Sequence, residues 1–381
     1  MNNTPFNYID CQKDLEQCCL ALQASPLLSV DTEFVRERTY YSQPGLIQVS
    51  DGTTISLIDP NACEQLQVFF DLLESPDIRI AMHSSSEDVE LFYSMGCGTI
   101  ENLFDTQIAA AWLGEGQSIS LQRLIEAHEK ILIPKGHSRT NWLQRPLTDA
   151  QLNYAAVDVL YLNAICLRQE AALVKLGFFD FMVQDCDLRC EKTAIGEGDN
   201  LAYLKVKRAV TAIDDGLTRL QHLASWRERQ ARKDDKPRQH LIKDELLLAI
   251  SLQSPTDKNQ LSEMQGVTPY ILRRYGQKIL EIISNIPQVS AQDNQPVISL
   301  RSLPGAGKTL NDCRDLMKQI NNQQQIPIEV LPSKRWLEQF LLHYAVNWYP
   351  QPDGWKGWRK QLLEEPIQQL ITKNGFKQSA G

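Results

Sequence analysis

The pattern of apolar positions changes character near residue 190. Before it, short apolar runs alternate with helix-period segments. Leu27-Leu28-Ser29-Val30-Asp31 reads as a buried strand. Leu46-Ile47-Gln48-Val49-Ser50 and Thr54-Ile55-Ser56-Leu57-Ile58 read as two more, joined through Asp51-Gly52, a strong hairpin signal. Ile78-Arg79-Ile80-Ala81-Met82 is a fourth. Asp10 or Asp14 can open a helix carrying Leu15, Cys18, Cys19 and Leu22, and residues 63–74 place Leu66, Phe69, Phe70 and Leu73 on one helical face. Helices are then expected over 87–95, 105–113, 121–128 and 148–176, the last opened by a capping box of Thr148 and Gln151. Strands in a meander, then strands alternating with helices, predict a mixed α/β sheet.

Ala194-Ile195-Gly196-Glu197-Gly198-Asp199-Asn200 is polar and glycine-rich and reads as a linker. Beyond it almost no strand is expected. Helical periodicity covers 218–233, 243–252, 259–264 and 268–283, and after a second linker at 287–304 it covers 309–321, 334–344, 358–363 and 365–373. The expected organisation is one α/β domain over 1–190 and two small all-helical domains over 208–290 and 294–381.

Composition adds a division of charge. Residues 1–200 carry 13 Lys+Arg against 29 Asp+Glu, a net of −16, whereas residues 201–381 carry 26 against 18, a net of +8. An acidic half suits cations and a basic half suits a polyanion such as nucleic acid. No apolar run approaches the ~18 residues of a membrane span, and the first residues lack a secretory pattern. Nine cysteines, an odd number with no CxxC pair and no zinc-spaced Cys/His set, point to free thiols in a reducing cytoplasm. Cys186 and Cys190 would share one face of a helix.

Against that background three acidic blocks stand out. Asp31 and Glu33 are two apart on a strand with an apolar approach, so both project from one face of a central strand. Carboxylates so placed repel one another unless a cation lies between them. In His83-Ser84-Ser85-Ser86-Glu87-Asp88 a polar turn leads from a strand into a helix, and Asp88, Glu87 or Glu90 could join the first pair. Tyr154 and Asp158, four apart on the helix opened by Thr148, lie one turn apart on one face.

Together the blocks resemble the motifs of the DEDD superfamily of 3′–5′ exonucleases, in its tyrosine-bearing branch. Val30-Asp31-Thr32-Glu33-Phe34, the stretch from Met82 to Phe92, and Tyr154-Ala155-Ala156-Val157-Asp158-Val159-Leu160-Tyr161-Leu162 are similar to its first, second and third motifs, with Asp88 at the ligand position of the second. Phe104-Asp105-Thr106-Gln107 and the stretch from Ser138 to Thr148 are similar to segments typical of the bacterial ribonuclease D family. Leu223-Ala224-Ser225-Trp226-Arg227-Glu228-Arg229 with 261–283 resembles an HRDC domain, a helical nucleic-acid-binding module. Gly357-Trp358-Arg359-Lys360-Gln361-Leu362-Leu363 resembles the end of a second one.

The resemblance implies a ribonuclease H-like mixed sheet and hydrolysis of RNA from its 3′ end to nucleoside 5′-monophosphates. Asp31, Glu33, Asp88 and Asp158 would bind two divalent ions, magnesium or manganese, while Tyr154 orients a water. The substrates would be tRNA precursors and other small structured RNAs. No membrane and no obligate protein partner are implied. The competing expectations are a DNA exonuclease of the same superfamily and a non-catalytic nucleic-acid scaffold.

Substrate contacts are expected at His83 and Arg139 and at basic runs interleaved with aromatics: Trp226, Arg227 and Arg229; Arg273 and Arg274; and Trp358 and Arg359. Gly305-Ala306-Gly307-Lys308-Thr309 looks like a phosphate loop, but Ser302 stands where that pattern needs glycine and no buried strand precedes it. It reads as a turn into a helix.

Overall fold

A computed structural model describes residues 4–133, 140–195, 198–286, 295–346 and 348–376. The first part runs β1 (Asn7–Ile9), α1 (Gln12–Leu22), β2 (Leu27–Val35), β3 (Gln43–Ser50), β4 (Ile55–Ile58), α2 (Gln67–Leu73), β5 (Arg79–Met82), α3 (Ser86–Ser94), β6 (Leu103–Asp105), α4 (Thr106–Trp112), α5 (Leu121–Glu129), α6 (Asp149–Leu160), α7 (Leu162–Leu176) and α8 (Phe179–Ile195). The six strands form one sheet in the order β1-β4-β3-β2-β5-β6. The β2-β3-β4 meander is antiparallel, and β1, β5 and β6 join in parallel. β2 therefore sits centrally, which explains why Leu28 and Val30 are fully buried.

The local signals explain most boundaries. At the hairpin the Asp51 carboxylate accepts from the Thr53 and Thr54 N–H groups while Gly52 takes φ 89°. Both halves of the Thr148–Gln151 capping box form. Four features depart from what the sequence pattern predicts. β1 and β6 were not expected; each is three residues long, too short for alternation to show. α8 is a full helix in a stretch assigned only through Cys186 and Cys190, both of which are buried there. The single helix expected over 148–176 breaks at Tyr161 with no glycine or proline to signal it. The break lets Asn163 bury its amide against β2, where it pairs with the Ser29 hydroxyl and donates to the Leu27 carbonyl at 3.3 Å.

The remaining elements are helical: α9 (Asp214–Lys233), α10 (Arg238–Leu241), α11 (Asp244–Gln253), α12 (Lys258–Glu263) and α13 (Pro269–Ser284), then α14 (Ala306–Gln324), α15 (Lys334–Ala345) and α16 (Gly357–Lys373). α16 passes through Pro366 instead of dividing into the two helices expected. Gly305 at φ 77° begins α14, and a 3-10 turn at Leu300–Ser302 precedes it, so the glycine-rich pentapeptide is a helix entry. The core of the first helical unit begins with Tyr203 and Val206, ahead of the expected limit at 208.

The two helical units meet the sheet domain differently. The second shares one continuous apolar core with it. Trp358 packs edge-on against Trp112 at 4.9 Å between ring centroids. Asp185 on α8 accepts the indole N–H groups of Trp112 at 3.1 Å and Trp358 at 3.0 Å and forms an ion pair with Arg359. The first unit touches the sheet domain around Tyr40, whose ring packs against that unit's core: Asp235 accepts the backbone N–H groups of Tyr40 and Tyr41 at 2.9 and 3.0 Å, and the Tyr40 hydroxyl donates to Glu228 at 2.7 Å.

Asp185 gathers two indoles and a guanidinium at a mostly buried interface beside an open cavity. Asp185→Ala should cost about 3 kcal/mol, because Arg359 is left without its anion. Calorimetry should show a lowered or split transition, with α16 becoming sensitive to limited proteolysis.

Candidate active site

Asp31 and Glu33 leave the same face of β2, opposite Gln48 and Leu46 of β3. The Thr32 hydroxyl between them donates to Asp88 in the first turn of α3. From α6, Tyr154 donates its hydroxyl to Asp158. Glu33, Asp88 and Asp158 are buried and Asp31 is partly exposed. Glu87 points to solvent and Glu90 forms an ion pair with Arg36 at 3.0 Å, so Asp88 is the acid of its block that joins the cluster.

The electrostatics record the crowding. Burial pushes the Asp31 carboxyl well up, and the charges of Asp88, Asp158 and Glu33 push it further. Burial, then Asp158 and Asp88, raise Glu33 to about 9. Burial raises Asp88 to about 6 against the opposing Thr32 hydrogen bond, and raises Asp158 to about 7 against that of Tyr154. The Tyr154 phenol is pushed up by burial and by the acids around it, so it stays protonated as a donor. A set of hard carboxylate oxygens short of positive charge fits magnesium or manganese. Among the described residues no His, Cys, Asp or Glu trio is already closed around an ion position.

Neighbouring groups hold this geometry. Asp105, fully buried at the N-cap of α4, accepts the Ser84 and Ser85 N–H groups at 3.1 and 2.8 Å and the Ser85 hydroxyl at 2.8 Å. It also accepts from the Gln107 and Ile108 N–H groups. It thereby fixes the turn, with Ser84 at φ 61°, that aims α3 and Asp88. Trp142 lies fully buried beneath Tyr154, 6.3 Å between ring centroids. It reaches β3 because Gly45 has no side chain: a Cβ there would stand 2.6 Å from Trp142 Cβ and 2.9 Å from the Glu33 carbonyl. Arg145 secures the same segment through Asp59 and the Gly45 carbonyl. The sequence reading assigned no role to Asp105, although an aspartate just before a helix is a visible capping signal.

Several expected substrate contacts are corrected. His83 has both ring nitrogens engaged inside the protein, by Thr106 at 2.9 Å and the Ile119 carbonyl at 3.0 Å, and burial lowers its pKa. Trp226 is core, edge-on to Tyr275. Arg227 is buried against Asp244 at 2.8 Å and donates to the Ile242 carbonyl. Trp358 and Arg359 belong to the interface with α8. Arg229, Arg273 and Arg274 are surface groups, with Asp199 3.8 Å from Arg229 and Asp234 3.4 Å from Arg274. Arg139 lies outside the described residues.

Comparison with known proteins fixes the class. Residues 6–170 match the 3′–5′ exonuclease domain family, 216–283 match the HRDC domain, and 304–367 match the ribonuclease D C-terminal HRDC domain. The chain is thus a 3′–5′ exonuclease carrying two nucleic-acid-binding modules, and exonucleases of this kind work with divalent metal ions. It is 34% identical to ribonuclease D of Shewanella sp. (strain ANA-3) over 97% of this chain and 95% of that one, and 31% identical to that of Escherichia coli K12 over 97% and 99%. The crystal structure of Escherichia coli RNase D, an exoribonuclease involved in structured RNA processing, aligns with a TM-score of 0.91 at 30% identity, covering 97% of this chain and 99% of that one. The catalytic core of RRP6 from Trypanosoma brucei shares the fold at 21% identity and a TM-score of 0.57, over 74% and 79%. The chain belongs to the ribonuclease D family and is an exoribonuclease. Among the described residues no helix is long and apolar enough to cross a membrane.

Two outcomes follow from the cluster. Asp105→Ala leaves buried N–H groups unpaired and removes a helix cap, a loss of about 3 kcal/mol. Urea unfolding should show it, and turnover measured where the variant is still folded should also fall as Asp88 loses its fixed approach. The raised carboxyls bind protons more tightly folded than unfolded. Their contribution to stability is therefore complete below the ordinary carboxyl range of about 4, and is lost as pH rises through about 6, 7 and 9. In chelator the melting temperature should fall between pH 5 and pH 9; magnesium should reduce that fall, and Asp158→Asn should flatten it.

Proposed function

We propose that this exoribonuclease removes nucleoside 5′-monophosphates from the 3′ ends of tRNA precursors and other small structured RNAs, by hydrolysis at the acidic cluster on β2, α3 and α6. The observation that carries the reading is that Asp31, Glu33, Asp88 and Asp158 converge from three separate blocks, so that the charges of Asp88 and Asp158 raise the proton affinity of Asp31 and Glu33. These four would hold two divalent ions, magnesium or manganese, which supply the positive charge that the attacking and departing oxygens of a phosphodiester require.

The chain's own groups do the rest. The phenol of Tyr154, kept protonated, is a hydrogen-bonding post that holds a water in line with the terminal phosphate; Asp158 fixes its direction. Glu33 reads the 3′ hydroxyl of the terminal ribose as well as serving as a ligand. Burial around the cluster excludes bulk water and strengthens each of these contacts. Arg229, Arg273 and Arg274 carry the first helical module's contacts to the RNA backbone. The chain divides, in this reading, into a catalytic domain over 1–190 and two modules near 208–290 and 294–381, and it works in the cytoplasm, where its nine cysteines stay reduced.

Asp31→Asn, Asp88→Asn and Asp158→Asn should each slow hydrolysis at least about 10²-fold. Tyr154→Phe should lower turnover while leaving metal affinity intact. The test is a time course on a 3′-extended tRNA with and without chelator, beside DNA of the same sequence. Release of 5′-monophosphates from RNA that stops in chelator supports the reading. Equal or faster release from DNA, or full activity of the Asp158 variant, overturns it.

A further inference from the structure

Gln48 stands directly opposite Asp31 on β3 and next to Leu57 on β4. Residues paired across antiparallel strands share a face, so its side chain rises on the same side as Asp31 and Glu33. That face is roofed by α6, whose Ala155, Ala156 and Val159 pack on Leu46 and Leu57. Gln48 is fully buried, and neither its Nε2 nor its Oε1 has a hydrogen-bond partner among the described residues. An amide buried without partners is costly, and native interiors rarely leave both of its ends empty. The next residue along β2 on this face, Ser29, is buried too but has its partner in Asn163. An apolar side chain would serve a merely packed position beneath α6 better than an amide does.

We propose that Gln48 is a positioning residue of the acidic cluster. Its amide is held in reserve to donate Nε2–H to the Asp31 carboxylate when divalent cations draw the acids together. The carboxylate across the strand pair is the natural acceptor: it lies on the same face and carries the charge that a donor stabilises. An amide is the suitable donor, because it gives a proton without bringing a positive charge that would compete with the cation. Fixing one carboxylate oxygen from outside leaves the other directed at the ion, as partners behind metal ligands commonly do. The inference rests on the reading of this cluster as a divalent-metal site.

The test is manganese binding by calorimetry on the full chain, together with melting temperature in chelator and the split of turnover between kcat and KM. Gln48→Met keeps the length of the side chain and removes the donor. It should weaken manganese binding about 10-fold, within the range that such outer partners supply. It should lower kcat more than it changes KM, and leave the melting temperature in chelator equal or higher, since an unpaired buried amide has gone. Gln48→Asn, with an amide too short to reach, should weaken binding in the same direction and serves if the methionine variant does not fold. Manganese affinity and kcat unchanged in a folded variant overturn the proposal, as does a melting temperature in chelator that falls enough to account for the lost activity. Failure of the unaltered protein to bind manganese would instead overturn the metal-site reading itself, and the two failures are thereby distinguished.

Discussion

Repulsion among four crowded carboxylates, three of them buried, is the constraint that the sheet domain is organised to contain. A carboxylate on a loop would swing away from its neighbours; Asp31 and Glu33 are held by their pairing with Gln48 and Leu46 of β3, and β5 anchors the start of the strand over Leu27–Ser29. Asp88 is held by the turn that Asp105 fixes, and Asp158 by a helix with a complete capping box at its start. Each acid is therefore placed by backbone that has its own hydrogen bonds accounted for. The unfavourable charge is concentrated on β2, α3 and α6, and Asp31 alone of the four acids is partly exposed.

The same reasoning explains the uneven attachment of the helical parts. The second unit is joined through indoles, a shared apolar core and one mostly buried ion pair at Asp185, so it forms an extension of the catalytic domain. The first unit keeps its own core and meets the catalytic domain through Tyr40, whose ring packs on that core while its hydroxyl and backbone bond to Glu228 and Asp235.

The acidic cluster was legible in the sequence because its logic is local. The two-residue spacing of Asp31 and Glu33 fixes a strand face, the four-residue spacing of Tyr154 and Asp158 fixes a helix face, and the cap at Thr148 sets where that helix begins. The long helices and the meander were legible for the same reason. What escaped depends on distant partners. The break at Tyr161 exists because Asn163 meets Ser29 across the fold. Trp226 with Arg227, and Trp358 with Arg359, have the composition of a nucleic-acid contact, yet Asp244 and Asp185 turn them inward. An arginine beside a tryptophan serves a phosphate or a buried carboxylate equally well, and only the folded chain decides which.

That correction changes where substrate charge can be met. With those two pairs withdrawn into the protein, Arg229 on α9 and Arg273 and Arg274 on α13 remain at the surface of the first helical unit. α9 and α13 are tied by the Trp226–Tyr275 ring contact, so the buried tryptophan has an indirect part: it sets the relation between the two helices that present the arginines. The chain that leaves the catalytic strand at Val35 is bonded at Tyr40 and Tyr41 to Asp235, just past the end of α9. The strand carrying Glu33 and the helix carrying Arg229 are thus linked by a short polar tether. The β2–β3 pairing, which runs from Ser29 to Val35, separates that tether from the carboxylates on the strand.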